Sequence, residues 1–196
     1  MTPNLQTSIP DTQHALKELF WRRGYEHASI DDVVNETGLN RYALYNAYGG
    51  KLELFLAALD AYYQERKNLF LRNLNDPETA PLDAVRRVFE FAITEMAERG
   101  TGCLMCNVAT EECGRDPKVA ARVESYLDEI RRAYTDALER AAARDELNNS
   151  VKPADGAALL IAVKLGLGVH AKNGADASTM LSIFNTAMTA LSADSS

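Results

Sequence analysis

The chain has 196 residues, 46% hydrophobic and 25% charged, which suits a folded protein with a substantial core and excludes a disordered one. Its 28 acidic and 21 basic residues leave a net charge of −7, so coating nucleic acid by bulk charge is excluded and any such contact has to come from a local patch. Glycine and proline are scarce, at 11 and 6, and three cysteines, an odd number, argue against a disulfide framework and for a reducing compartment.

Helical periodicity dominates, with no convincing alternating strand. The first helix is predicted over about 12–23, with Ala15, Leu16, Leu19 and Phe20 on one face and a stop at Gly24. Ser29 opens a second, short helix as N-cap, with Asp32 three residues on in a capping-box arrangement, and Gly38 ends it. Asn40 caps a third through Tyr48, broken by Gly49-Gly50. From Lys51 a long helix carries Leu52, Phe55, Leu56, Leu59, Tyr62, Tyr63, Phe70 and Leu74, and NDPETAP over 75–81 is the clearest loop. A fifth helix carries Val85, Val88, Phe89, Ala92, Ile93 and Met96 to Gly100, and residues 103–113 read as one short apolar helix. Asp116-Pro117 starts a long helix to about Asp145. Pro153 opens an almost wholly apolar one, and Ser178 is expected to cap the last. The expectation is an all-α fold of about nine helices. No stretch reads as a membrane span of about 20 apolar residues. The opening MTPNLQTSIPDTQ lacks the basic and apolar regions of a signal peptide, so a cytoplasmic protein is expected.

Residues 29–51 carry the most information. Two short helices joined by Gly-Leu-Asn have helix-turn-helix form. At 100° per residue, Leu44 and Tyr48 fall on the side that packs against Val33, Val34 and Leu39, and Arg41, Tyr42, Tyr45 and Asn46 fall on the opposite side. Arginine reads guanine and asparagine reads adenine through paired hydrogen bonds in the major groove. Tyr45 suits a phosphate or a thymine methyl, and Lys51 and Ser29 stand at helix starts, where cation, hydroxyl and free N–H groups suit phosphate. Charge points the other way: residues 1–50 hold Lys17, Arg22, Arg23 and Arg41 against Asp11, Glu18, Glu26, Asp31, Asp32 and Glu36. A solvated helical hairpin in an all-α interaction protein that never meets DNA is the competing reading.

The run LFWRRGYEHASIDDVVNETGLNRYALYNAYGGKLELF resembles the DNA-binding segment of the TetR/AcrR family of bacterial repressors. The matching features are Leu19-Phe20, Gly24-Tyr25, Ser29-Ile30, Val33, Gly38-Leu39, Leu44-Tyr45, Tyr48, Lys51 and Glu53-Leu54. The resemblance implies a helix-turn-helix domain over 1–50 and an effector-binding and dimerisation domain over 51–196. It also implies a homodimer that binds a palindromic double-stranded operator and releases it when a small effector binds. Ser29, Tyr45 and Lys51 fall at phosphate-contact positions, and Arg41, Tyr42 and Asn46 at base-reading ones. One departure is that residues 1–16 contain no Lys or Arg, where many members carry a basic arm.

Residues 157–171 are apolar nearly all round, interrupted by Lys164 and His170, as in a helix buried on more than one side. Gly166 and Gly168 suit close helix approach there, either within the monomer or in a two-fold dimer interface completed by the last helix. Cys103, Cys106 and Cys113 cluster in TGCLMCNVATEEC. Zinc would need a fourth ligand such as His170 and a familiar spacing, and a redox pair would need a preceding strand; neither pattern is present. That leaves small buried hydrophobes, or a thiol sensor with Cys103 activated at a helix N-terminus. This segment and Val169-His170-Ala171-Lys172 resemble a branch of the same family that contains an electrophile-sensing repressor. The resemblance implies a sensor role for Cys103, a matching cysteine at Cys113 and a nearby lysine at Lys172, which otherwise merely complements a helix C-terminus. Phe89, Met96, Met105, Tyr126 and Tyr134 are expected to line an effector pocket or to form a plain core. No Ser/His/Asp order, phosphate-cradling loop or HExxH motif is present, so no enzyme, cofactor or metal is expected.

Overall fold

A computed structural model describes residues 9–193. Among them the chain forms nine α-helices: α1 Ile9–His27, α2 Ile30–Thr37, α3 Arg41–Tyr48, α4 Lys51–Leu74, α5 Pro81–Arg99, α6 Leu104–Thr110, α7 Pro117–Ala142, α8 Pro153–Lys172 and α9 Ala177–Leu191. A 3₁₀ turn, Glu112–Arg115, stands between α6 and α7, and the one isolated bridge pairs Leu147 with Ser192. The all-α expectation holds. The N-terminal arm and the proposed absence of a signal sequence rest largely on residues outside the described ones.

The chain divides into two compact units. One runs to Glu65 and includes Val108–Val123; the other comprises Arg66–Asn107 and the chain from Glu124. In the first, α1 buries Leu16, Leu19 and Phe20, α2 buries Val33, α3 buries Leu44, and α4 adds Leu54, Phe55, Ala58 and Leu59. Aromatic rings fasten α1 to α4, with Phe20 edge-on to Phe55 at 5.0 Å and Trp21 edge-on to Tyr62 at 5.1 Å. Lys17, only 2% exposed, is neutralised by Glu18 and Glu65, so its charge is paired rather than stranded in the core. Arg122 of α7 grips Asp60 of α4 with two hydrogen bonds, 2.8 and 3.1 Å.

In the second unit α5, α8 and α9 pack together around stacked rings, Phe89 on Phe184 at 4.4 Å and Phe89 on Tyr134 at 5.7 Å. Arg66 and Glu95 form a two-stranded ion pair between α4 and α5. The loop before α6 depends on Gly102, whose φ is +64° and whose Cβ, if present, would stand 2.7 Å from the Gly168 carbonyl oxygen.

Several local expectations need correction. Residues 103–113 are not one helix: Cys103 precedes α6, Cys106 lies within it, and Cys113 sits on the 3₁₀ turn. The cap of α9 is Asp176, which accepts from Thr179 N–H at 2.7 Å, and Ser178 donates its hydroxyl to that same carboxylate. A carboxylate two residues earlier outcompetes the serine because it accepts both bonds. The first helix starts earlier than expected, and its backbone leaves helical geometry at Gly24. Helix α8 is long and apolar enough, by length and composition, to cross a membrane, contrary to expectation. A packed helix of a globular protein meets the same test, and α8 buries Gly156, Ala157, Leu160, Ile161, Leu167, Gly168 and Ala171. It is not buried all round, because Ala158, Leu159, Ala162, Gly166 and Val169 are exposed. A Cβ on Gly168 would meet Cys103 N at 3.7 Å and Cys106 Cβ at 3.9 Å, ordinary contact distances, and Gly166 has nothing within 4 Å, so neither glycine is required by close packing within the chain.

Candidate functional site

Helix α3 is placed by the two caps of α2 and by its own N-cap. Ser29 and Asp32 form the full capping box: Asp32 N–H donates to Ser29 Oγ at 3.1 Å, and Ser29 N–H donates to Asp32 Oδ2 at 2.9 Å. These hydrogen bonds hold the Asp32 carboxyl below its ordinary range, with Arg23 adding to the effect. At the other end of α2, Gly38 takes the left-handed conformation, φ +69°, and its N–H closes on the Val34 carbonyl at 2.9 Å. Asn40 then accepts from Ala43 N–H at 2.8 Å, which starts α3 after the three residues Gly38, Leu39 and Asn40.

Helix α3 turns Leu44 inward, where it is 1% exposed, and leaves Arg41, Tyr42, Tyr45 and Asn46 outside. Tyr42 is 77% exposed and Tyr45 47%, which is unusual for aromatic side chains with nothing to cover them. The four side chains therefore share one solvent-facing surface, as the spacing predicts. Lys51, the first residue of α4, holds its ammonium 4.5 Å from the centre of the Tyr25 ring and 3.5 Å from the Glu26 carbonyl. Ser29 is exposed, but its hydroxyl donates to Asp32 Oδ2 at 2.8 Å, so a phosphate would have to displace that bond.

Two partners escaped the sequence reading. Asp31, in the first turn of α2, accepts from Arg41 Nη2 at 2.6 Å. Tyr25 serves as the platform for Lys51. Both pairings span loops, and no periodic pattern marks them.

The effector candidates fall in both units. Phe89, Met96, Met105, Tyr126, Tyr134, Cys103 and Cys106 belong to the second, and all are buried. Cys103 Sγ lies 3.8 Å from Tyr126 Oη, and the Cys103 carbonyl accepts from Asn107 N–H at 2.9 Å at the start of α6. The Cys106 thiol is pushed well above its ordinary value by its hydrogen bond with Cys103, by burial and by the Cys103 charge. Burial raises Tyr134 likewise. Cys113 belongs to the first unit, where burial and the carboxylates of Glu111 and Glu26 push its thiol up to about 11. Such surroundings suppress the thiolate. Lys172 and His170 are exposed in the last turn of α8.

Residues 14–58 match the profile of bacterial regulatory proteins of the tetR family, and residues 81–188 match the tetracyclin repressor-like C-terminal domain. The chain is 31% identical over 137 residues to the uncharacterized HTH-type transcriptional regulator YezE of Bacillus subtilis, covering 69% of this chain and 70% of that protein. It is 26% identical over 173 residues to the HTH-type transcriptional repressor ComR of Escherichia coli, 87% and 82% of the two chains. The fold superposes with TM-score 0.83 on a cysteine mutant of the TetR-family regulator CifR complexed with 26 bp double-strand operator DNA, at 22% identity and over 95% and 98% of the chains. It superposes equally, at 0.83, on the reduced form of Escherichia coli NemR, at 17% identity and over 95% and 100%. With a capped helix-turn-helix that bares its second helix and with both domain profiles matched, the chain belongs to the TetR family of DNA-binding transcriptional regulators.

Proposed function

We propose that the protein is a cytoplasmic repressor that binds a palindromic operator as a homodimer and releases it on receiving an effector. Residues 1–50 read DNA, and residues 51–196 receive the effector and dimerise. Arg41, Tyr42 and Asn46 contact base edges in the major groove, and Tyr45, Lys51 and Ser29 contact phosphates. The observation that carries this reading is the bare outer face of α3, four hydrogen-bonding side chains exposed above a buried Leu44. The protein works as a binding switch, without catalytic chemistry, cofactor or membrane attachment.

The homodimer reading draws on the outward face of α8. Ala158, Leu159, Ala162, Gly166 and Val169 are small or apolar and exposed, with Leu159 at 38% and Val169 at 58%. Small residues at helical spacing allow two copies of the helix to approach closely about a two-fold axis. For the effector, Cys103 is the best-situated thiol: it stands at the start of α6 beside the Tyr126 hydroxyl, whereas the Cys113 thiol is pushed up by burial and by the carboxylates of Glu111 and Glu26. The thiol would add across the C=C bond of an electrophile such as N-ethylmaleimide: the sulfur forms the new S–C bond to one ring carbon as the π bond breaks, and the proton ends on the neighbouring ring carbon.

Selection from a random duplex pool, followed by anisotropy with and without N-ethylmaleimide, tests the proposal. A recovered palindrome with loss of binding on alkylation, abolished in Cys103→Ser, is the expected result. A palindrome whose binding survives alkylation would replace the thiol response by a non-covalent ligand. No enriched sequence at any salt concentration would overturn the operator reading.

A further inference from the structure

The cations of the helix-turn-helix are almost all answered by acids. Lys17 is buried against Glu18 and Glu65, Arg22 donates to Glu36 at 2.9 Å, and Arg23 lies 2.8 Å from Asp32. The pair of Arg41 with Asp31 differs in kind. Among the described residues it is the ion pair that ties α2 to α3, and one end of it belongs to the DNA-reading face. Both side chains are more than half exposed, at 58% and 70%. An ion pair this exposed adds little to folding. A carboxylate on a surface that must approach phosphates also opposes binding to DNA in general. Asp31 also complements the dipole in the first turn of α2, as an acid there does whatever its partner, but neither that nor affinity for DNA explains its pairing with Arg41.

Its effect on Arg41 is geometric. A guanidinium is a planar fork of five N–H donors on a long, flexible stem. Asp31 takes one donor of Nη2 at 2.6 Å and leaves four. The stem is thereby held, and the head is kept from swinging to the nearest phosphate. We propose that Asp31 is a positioning residue that sets base specificity: it orients the free edge of the Arg41 guanidinium for the O6/N7 edge of a guanine, and its charge penalises duplexes that lack that guanine. This rests on the reading of Arg41 as a base contact.

The test compares the full-length wild type with Asp31→Asn, Arg41→Ala and the double variant, by anisotropy at fixed salt. The duplexes are the selected operator, a panel in which each base pair is substituted in turn, and a non-operator duplex. In Asp31→Asn, non-operator DNA is expected to bind several-fold tighter, and discrimination is expected to fall about tenfold at the one guanine pair that Arg41 reads. Other positions keep their discrimination, and in the Arg41→Ala background the second substitution changes none of them. If Arg41→Ala flattens one position and Asp31→Asn leaves that position intact, the role of Asp31 is overturned and Arg41 stands as a base reader. If Arg41→Ala flattens no position, both fall. Uniform loss at every position in a folded Asp31→Asn protein, checked by circular dichroism, would also overturn the proposal.

Discussion

The Lys51 ammonium rests 4.5 Å above the centre of the Tyr25 ring, a cation–π contact between the start of α4 and the segment that follows the Gly24 break. The same ring packs against Phe55 at 4.9 Å, so the charge is mounted on a side chain that is itself fastened to the core. Lys51→Ala is expected to weaken binding to operator and non-operator duplexes alike and to reduce the slope of log K against log salt by about one. Tyr25→Phe keeps the ring face and is expected to change affinity less than twofold. Anisotropy titrations over a salt series measure both.

Gly102 and Gly166 are expected to respond oppositely to alanine. At Gly102 the positive φ and the 2.7 Å approach to the Gly168 carbonyl leave no room for a Cβ, so Gly102→Ala is expected to cost about 2–4 kcal/mol. Gly166 lies in open space on a helix, where alanine gains about 1 kcal/mol in helix propensity. Gly166→Ala is expected to keep the secondary structure intact while weakening dimerisation if α8 lies at the two-fold axis. Thermal melts and sedimentation equilibrium separate the two effects.

Cys113 makes stability depend on pH at the alkaline end. Its folded thiol, at about 11, lies above the ordinary value of 9.0, so folding favours the protonated form. The resulting stabilisation is present below pH 9 and is lost as pH rises from 9 to 11. The difference in denaturation midpoint between wild type and Cys113→Ala is expected to shrink over that window. In a Cys103→Ser, Cys106→Ser background, labelling of Cys113 should accelerate about tenfold per pH unit up to the same point.

Asp32 acts at the acid end. Its carboxyl is held below the ordinary 3.8 by the Ser29 hydrogen bonds, so its contribution is complete above that value and is lost as pH falls through the lower folded one. Ser29→Ala breaks the capping box and is expected to cost about 1 kcal/mol at neutral pH. Urea denaturation at pH 7 and pH 3 tests this: the cost of Ser29→Ala should be smaller at the lower pH.

Several helix boundaries could be read directly from the residues. Ser29 with Asp32, Gly38, Asn40, Asp116-Pro117 and Pro153 all act where the spacing foretold, because a cap is settled within four residues of chain. The outward set Arg41, Tyr42, Tyr45 and Asn46 was legible for a similar reason, since helical periodicity alone sorts it from Leu44. Local rules failed where neighbours compete, as when Asp176 took the cap expected of Ser178 and when the three cysteines were divided between a loop, a helix and a 3₁₀ turn. The contacts between Arg41 and Asp31, Lys51 and Tyr25, Gly102 and Gly168, and Cys103 and Tyr126 needed the packed fold. Such pairs follow from the angle and depth at which helices meet, and those are set by the whole core rather than by the spacing of any one segment.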